Sequence, residues 1–411
     1  MAAATTQTID DEVVRFFTDP AARTDPHAFW RKLRNHDPVY RSEGLQQWIV
    51  TGFPEAHAVF QHASREVSYS PKSAPGYDAA SIAGTFREVM FDVHLPRTDP
   101  PDHTRVRGSV RRSFSAPAAE DWRPFLRDAA RGLITAQRPG VPFDFVRDVA
   151  QQLPTRLGCA LFGLPLEDAP LFEQFVSKFT GLLEPNPTAG AIAAGCQAGE
   201  DFASYLEPLI EARRREAGNL TVLDNLIDAE AAGTLSRTGI ASFILMVMVG
   251  GHDTVAGALS NGVWRFAHSP DQWKLVVTDR SLVPNAAEEI LRYENPLHLV
   301  ATKYLVEDFE LGGHTIPQGA PLRVSLAGAN RDPRQFRDPD TFDVTREDQR
   351  HLGLGFGPHF CLGGFLGRVQ IQEFLHALAE RDPVFDIDEN GIEWGRGLVH
   401  FGPHTMPMTM S

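Results

Sequence analysis

The chain has 411 residues, of which 42% are hydrophobic and 22% charged, a balance typical of soluble globular proteins with a large core. Its 39 basic and 53 acidic residues give a net charge of −14, which argues against a general affinity for nucleic acid or for an anionic membrane. The three cysteines are too few for a disulfide framework and suit a reducing compartment.

The sequence contains no evident targeting or membrane segment. Its N-terminal stretch lacks an apolar region after a basic one, so it does not resemble a signal peptide. The most apolar run, 240–251, is too short to span a bilayer. We therefore expect a cytoplasmic protein without a membrane anchor.

The first quarter of the chain mixes short helices and strands. An Asp-Pro start and helical spacing predict a helix over 25–37, and alternation predicts a strand over 46–53 before a short helix over 54–63. Residues 64–95 then combine Ser, Pro, Gly and aromatic residues without clean periodicity. Loops of this length are rare in compact domains and are more often functional than accidental.

A basic helix is predicted over 97–116, opened by the prolines at 100 and 101. His103 and Arg107 are four residues apart, so they share a face of this helix. On this stretch alone, a solvated basic face is an equally good interpretation.

A series of amphipathic helices over 118–232, with a break at 184–191, leads to one long predicted helix over 236–269, with Ser236 as its N-cap. Gly250 and Gly251 in its middle each cost about 1 kcal/mol against alanine. They precede His252-Asp253-Thr254 in an otherwise apolar run, so we expect a bend or bulge of the kind found at functional sites. The alternative is a polar capping break between two helices.

The next segments are a helix over 284–296 and alternating strands with a hairpin over 297–325. Glu289 and Arg292 stand three residues apart in the helix, but this spacing recurs elsewhere in the chain and is informative only through its position. The last segment, 396–410, is predicted to form a terminal strand pair whose tip could reach an active site.

The stretch 351–368 gathers glycines around a single cysteine, Cys361, where a loop enters a helix. Glycine is favoured where backbone turns sharply or approaches a bulky planar group. Backbone N–H groups and the helix dipole could hold a thiolate, which suits ligation of haem iron. An isolated cysteine is otherwise most simply a small buried hydrophobe.

The pattern G-x-H-x-C-x-G resembles the haem-binding loop of the cytochrome P-450 family, with its members in the order Gly357, His359, Cys361 and Gly363. Three further motifs of that family occur in the right order: D-P-P-x-H-x-x-x-R, G-G-H-D-T and E-x-x-R. Two positions depart from the family pattern. Leu354 replaces the usual phenylalanine before the cysteine, and Thr341 stands where the family often has the arginine that joins Glu289 and Arg292.

This resemblance implies a mainly α fold with a small β region, formed as one domain over 1–411 with a long central helix over the haem. It also implies a haem-thiolate monooxygenase containing haem b. Cys361 would be the iron ligand, and the residues implied to hold the haem are His103, Arg107, His359, Gly363 and, as a weaker candidate, Lys303. Oxygen activation would involve Gly250, Gly251, Asp253 and Thr254, the last two as proton donors.

The resemblance further implies that electrons come from NAD(P)H through a separate ferredoxin or flavodoxin, because the sequence contains no fused reductase motif. Arg111 and Arg112 are candidates for its docking surface. The substrate is expected to be a hydrophobic small molecule, since the expected walls are mainly apolar; they are 64–95, 172–197, Leu297 to Ala301 and Val399 to Phe401.

Three alternatives remain open at this point. A peroxide-driven peroxygenase would not need the Asp253-Thr254 pair, and a haem-based sensor would carry an output domain, of which the sequence has no sign. A helical binding protein without haem is the simplest alternative.

Overall fold

The computed structural model describes residues 8–183, 187–215 and 221–411. Over these residues the helices are α1 (Ile9–Thr18), α2 (Pro26–His36), α3 (Phe53–Gln61), α4 (Phe86–Val93), α5 (Asp102–Val110), α6 (Ala116–Asp121), α7 (Arg123–Ala136), α8 (Gln152–Phe162), α9 (Ala169–Thr180), α10 (Ala189–Arg215), α11 (Val222–Ala231), α12 (Arg237–Ala267), α13 (Pro270–Thr278), α14 (Val283–Tyr293), α15 (Leu326–Ala329) and α16 (Gly364–Arg381). The strands are β1 (Val39–Ser42), β2 (Gln47–Val50), β3 (Val67–Ser68), β4 (Phe143–Asp144), β5 (Lys303–Leu305), β6 (Phe309–Leu311), β7 (His314–Ile316), β8 (Pro321–Val324), β9 (Phe385–Ile387), β10 (Glu393–Arg396), β11 (Phe401–Thr405) and β12 (Pro407–Met410).

Helix α12 is the central element, and other helices pack against it from several sides, among them α4, α8, α9, α10 and α16. The Ser236 side chain accepts a hydrogen bond from the Gly239 N–H at 2.9 Å and caps its N-terminus. Most of its 31 residues are buried, and most of the buried ones are apolar, as expected of a helix surrounded by other elements. The fold is therefore mainly helical, as the sequence predicted.

The alternative of a capping break at Gly250–Thr254 is wrong, because α12 is α-helical without interruption through this stretch. The Thr254 hydroxyl donates a hydrogen bond to the Gly250 carbonyl, so the polar side chain is accommodated within the helix. The complete helix is also long and apolar enough to cross a membrane, unlike the short run considered from sequence. However, 67% of its most apolar 18-residue stretch is buried inside the fold.

The β region is small and divided among four sheets, the largest of which has five strands in the order β1-β2-β8-β5-β3. Strands β2 and β8 are parallel, with Trp48 opposite Leu322, and the other pairs are antiparallel. The predicted hairpin is β6-β7, whose turn places Gly312 and Gly313 at φ values of 59° and 85°. The predicted terminal strand pair is wrong, because β11 pairs with β10 whereas β12 pairs with β4 and β9.

Two predicted boundaries also differ from the structure. The basic helix predicted over 97–116 is the shorter α5, because the prolines before it lack N–H groups and Ser115 already caps α6. The irregular stretch 64–95 contains helix α4, which we did not predict. Part of the predicted break at 184–191 lies outside the described residues, and α10 begins at Ala189.

A buried ion-pair cluster joins α14 to the irregular segment that follows α15. The Arg292 guanidinium donates to both oxygens of the Glu289 carboxylate at 2.7 and 2.8 Å, and both side chains are fully buried. Arg292 also donates to the Thr341 carbonyl. The second cation of the cluster is Arg346, whose Nε lies 3.3 Å from Glu289 Oε2. The chain therefore completes this cluster without an arginine at position 341.

Replacing Arg292 by methionine is expected to lower the free energy of unfolding by about 3–5 kcal/mol, because Glu289 stays buried with too few partners. The control is Arg131→Met, which breaks the surface pair with Glu380, whose side chains are half exposed. This change should leave stability nearly unchanged. Urea denaturation followed by circular dichroism measures both losses, and losses of equal size would contradict the role of burial.

Candidate active site

A cavity of about 430 Å³ lies between α12 and the loop that carries Cys361. Of the residues predicted to form the site, those that line it are His103, Arg107, Gly250, Gly251, Thr254, Lys303, His359, Cys361 and Gly363. Asp253 is not among the lining residues. The structure thus brings residues from four distant stretches of the sequence to one cavity.

The cysteine loop is held by backbone geometry that depends on glycine. Gly355 and Gly357 both have φ of 70°, in the left-handed region that favours glycine. The Cys361 N–H donates to the Leu354 carbonyl at 2.9 Å, and α16 begins three residues later, at Gly364. The sulfur is therefore presented to the cavity from a rigid turn, as expected.

Opposing influences act on the Cys361 thiol. Burial raises its pKa above the usual value, whereas the N–H of Gly363 and the charges of Arg107 and Arg368 lower it. A cysteine that coordinates a metal cation is deprotonated by the metal itself.

Cationic and aromatic side chains cluster at one corner of the cavity. The His359 ring stacks on Tyr69 with a centroid distance of 3.7 Å, and the His103 ring lies 4.2 Å from His359. The Lys303 ammonium lies 3.5 Å from the Tyr69 ring centroid, in a cation–π contact. Arg107 Nη2 donates to the Phe360 carbonyl at 2.8 Å. Four residues predicted separately are thus neighbours, with Tyr69 between two of them.

This corner has hydrogen-bonding groups that the described residues do not satisfy. His103 Nε2 and the Tyr69 hydroxyl are both buried without a partner in the described part of the chain. Burial, followed by the charge of Arg97, lowers the pKa of Lys303 to about 7, and burial with the charge of Arg107 lowers that of His103 to about 4. An anionic ligand would satisfy these donors and favour their protonated forms.

Tyr69 and Arg97 also line the cavity, although the sequence analysis did not select either of them. Tyr69 is one of four aromatic residues in the irregular stretch 64–95, and no local pattern distinguishes it from the other three. Arg97 precedes the D-P-P motif and matches no element of the motifs used. Their positions result from long-range packing.

The predicted acid and alcohol on α12 differ in their surroundings. The Thr254 hydroxyl lies at the cavity wall and donates to the Gly250 carbonyl. The Asp253 carboxylate lies 2.8 Å from His252 Nδ1. Burial alone would raise the pKa of Asp253, but His252, followed by the more distant His400 and His404, holds this pKa below its usual value.

The remaining walls of the cavity are mainly apolar. Those from the segments expected from sequence include Phe172, Val176, Leu297, Val300, Ala301 and Val399, whereas Met246 and Val247 on α12 and Leu157 and Leu161 on α8 were not among the expected walls. His94 is a polar exception that was not predicted. It is 3% exposed, and burial together with the charge of Arg97 lowers its pKa to about 3, so the ring is neutral.

Comparisons with known proteins agree with the expected family. A family model described as Cytochrome P450 matches residues 171–381. The chain is 32% identical to 6-deoxyerythronolide B hydroxylase of Saccharopolyspora erythraea, over 94% of this chain and 96% of that protein. It is 34% identical to luteothin monooxygenase of Streptomyces thioluteus, over 94% of each. The crystal structure of CalO2 superposes with a TM-score of 0.86 at 28% identity, covering 96% of this chain and 98% of that one.

His94 gives a prediction for the pH dependence of stability. Its folded pKa of about 3 lies below the ordinary value of 6.5, so between these values the unfolded state binds more protons and stability falls as the pH is lowered. From pH 7 to pH 5, the wild-type protein should lose about 2 kcal/mol more than His94→Phe. Urea denaturation at both pH values measures the difference. His36→Phe, at an exposed histidine, is the control, and a His94→Phe protein with the wild-type pH slope would contradict the prediction.

Proposed function

The chain belongs to the cytochrome P450 family and is a haem-dependent monooxygenase, and from this premise we propose which of its residues bind the cofactor and move protons. Cys361 is the iron ligand, and the corner formed by His103, Arg107, Lys303 and His359 binds the haem carboxylates. The observation that carries this proposal is that a cysteine sulfur and a set of unsatisfied donors line one cavity.

The residues present fit a haem on two further grounds. A Cβ atom built at Gly250, Gly251 or Gly363 would meet nothing within 4 Å, so these backbones border open space. Two carboxylates would also give the buried His103 nitrogen and the Tyr69 hydroxyl the partners that they lack. When bound, the haem supplies the redox chemistry by which one oxygen atom of O₂ is inserted into the substrate.

The corner residues bind the cofactor through charge and position. Ser64 Oγ lies 3.0 Å from His359 Nε2 and 3.1 Å from an Asp99 carboxylate oxygen, which fixes the imidazole. Lys303 and Arg107 supply the positive charge. Burial disfavours the charged form of Lys303, and a carboxylate beside its ammonium would stabilise that form.

We assign proton handling to Thr254, which lines the cavity, and to its neighbour Asp253 on α12. A hydroxyl has one proton to donate and two lone pairs, so Thr254 Oγ1 can accept a hydrogen bond from the cavity while it donates to Gly250. To donate into the cavity, it must rotate away from that carbonyl. Asp253, whose side chain is 35% exposed, relays protons from solvent: its ionised carboxylate accepts a proton from water and passes it on toward Thr254.

Electrons reach the protein from NAD(P)H through a separate ferredoxin or flavodoxin. Arg111 and Arg112 follow directly after α5 and are exposed, while Arg107 on the same helix lines the cavity. A basic patch in a chain of net charge −14 suits an acidic redox partner. The whole chain, 1–411, acts as one domain in the cytoplasm, and the apolar cavity walls suit a hydrophobic small molecule as substrate.

Thr254→Ala is expected to continue consuming NAD(P)H while it forms less product and more hydrogen peroxide. The reason is that electron supply does not depend on the hydroxyl but proton delivery does. Asp253→Asn should instead slow turnover, by about a hundredfold, because the proton source is lost. The assay contains a ferredoxin, its reductase and a substrate selected by its spin-state change of the haem band, and it compares product and peroxide with NAD(P)H consumed.

Thr254→Ser is the matched control, because it keeps the hydroxyl and should keep the coupling of product to NAD(P)H. If Thr254 only stabilises the helix, Thr254→Ala should lose a little stability and keep the wild-type ratio of product to NAD(P)H consumed. That result would remove Thr254 from the mechanism.

A further inference from the structure

We propose that His94 determines substrate specificity by hydrogen-bonding a neutral oxygen group, a hydroxyl or a carbonyl, on an otherwise apolar substrate. This inference rests on the proposed function, since it assumes that the substrate occupies the cavity described above. It adds a polar selection to a site whose other walls are mainly hydrophobic.

The observation behind the proposal is an unsatisfied buried imidazole. His94 lines the cavity and is 3% exposed, and neither of its ring nitrogens has a hydrogen-bond partner in the described ranges. A buried polar atom without a partner is costly, and native proteins contain few of them. A ligand in the cavity that supplies the missing partner would remove this cost.

The backbone that carries His94 is held on several sides, so the residue is fixed in position at the cavity wall. The His94 N–H donates to the Met90 carbonyl at 2.9 Å, and its carbonyl accepts from the Arg97 N–H at 2.7 Å. The next residue, Leu95, donates its N–H to the sulfur of Met246 on α12 at 3.2 Å. A group that is already fixed loses little conformational entropy on binding.

The chemistry of the ring defines the group that it selects. A neutral imidazole offers one N–H donor and one nitrogen acceptor. A hydroxyl can bond to either nitrogen, and a carbonyl can bond to the donor. Phe179 approaches the ring edge-on, with centroids 6.2 Å apart, and Arg97 opposes a positive charge. These neighbours disfavour a cationic ligand group and leave neutral oxygen groups as the best match.

The test is a comparison of three probes that share one hydrocarbon ring: cyclododecane, cyclododecanone and cyclododecanol. Their dissociation constants from the haem-containing protein are measured by competition with 4-phenylimidazole, whose own binding changes the haem spectrum. For each oxygenated probe, the dissociation constant of cyclododecane is divided by the dissociation constant of that probe. This ratio should be about fivefold larger in wild type than in His94→Phe, because one neutral hydrogen bond contributes about this factor. Comparing ratios between proteins cancels the different solubilities of the probes.

His376→Phe is the control. His376 is partly buried on α16 and does not line the cavity, so its replacement should leave the wild-type ratio unchanged. His94→Gln retains a donor and an acceptor and should keep part of the preference. If His94→Phe fails to fold, His94→Leu provides the same comparison.

Equal ratios in wild type and in the variant without the imidazole would overturn the proposal. The carbon monoxide spectrum of each reduced protein separates this outcome from failure of the proposed function. A thiolate-type band with equal ratios rejects only the role of His94. Absence of that band in wild type rejects the proposed function itself.

Discussion

The central constraint in this structure concerns the buried helix α12. It must line the cavity with backbone that carries no side chain, while Cys361 lines the same cavity from another side. Helix α12 meets it with Gly250 and Gly251, next to which an added Cβ would meet only open space. A larger side chain would occupy the volume that a planar cofactor requires. The cost of two glycines in a helix interior is offset by packing, since helices surround α12 on several sides.

Buried charge imposes the second constraint, and the chain meets it in two different ways. Glu289 is neutralised inside the protein by Arg292 and Arg346, so this cluster is complete without a ligand. The corner that contains Lys303 and His103 has cations and donors but too few acceptors, and burial depresses the pKa of both groups. The first arrangement stabilises the fold, whereas the second is suited to bind an anion.

The sequence predicted the features that depend on local patterns. The long helix followed from its continuous apolar run, and the glycines of the cysteine loop followed from a turn that requires positive φ. The four-residue spacing of His103 and Arg107 predicted that they share one face of a helix, and both line the cavity. The alternative of a break between two helices is wrong, because glycine propensity is weak compared with tertiary packing.

Features that depend on long-range packing could not be predicted. Tyr69 and His94 reach the cavity from the irregular stretch 64–95, where no periodicity indicates which side chains turn inward, and Arg97 reaches it from the segment just before α5. Arg346 takes a place in the buried cluster from beyond α15, and its role depends on the path of the chain between them. Strand pairing at the C-terminus has the same origin, because β12 joins two strands that are distant in sequence.

The central claim is that Cys361, and neither of the other two cysteines, binds the haem iron. The most direct measurement is the absorbance spectrum of the reduced, carbon monoxide-bound protein. The red-shifted band of thiolate ligation should be present in wild type, Cys159→Ser and Cys196→Ser, and absent in Cys361→Ser. Retention of that band in Cys361→Ser would contradict the account.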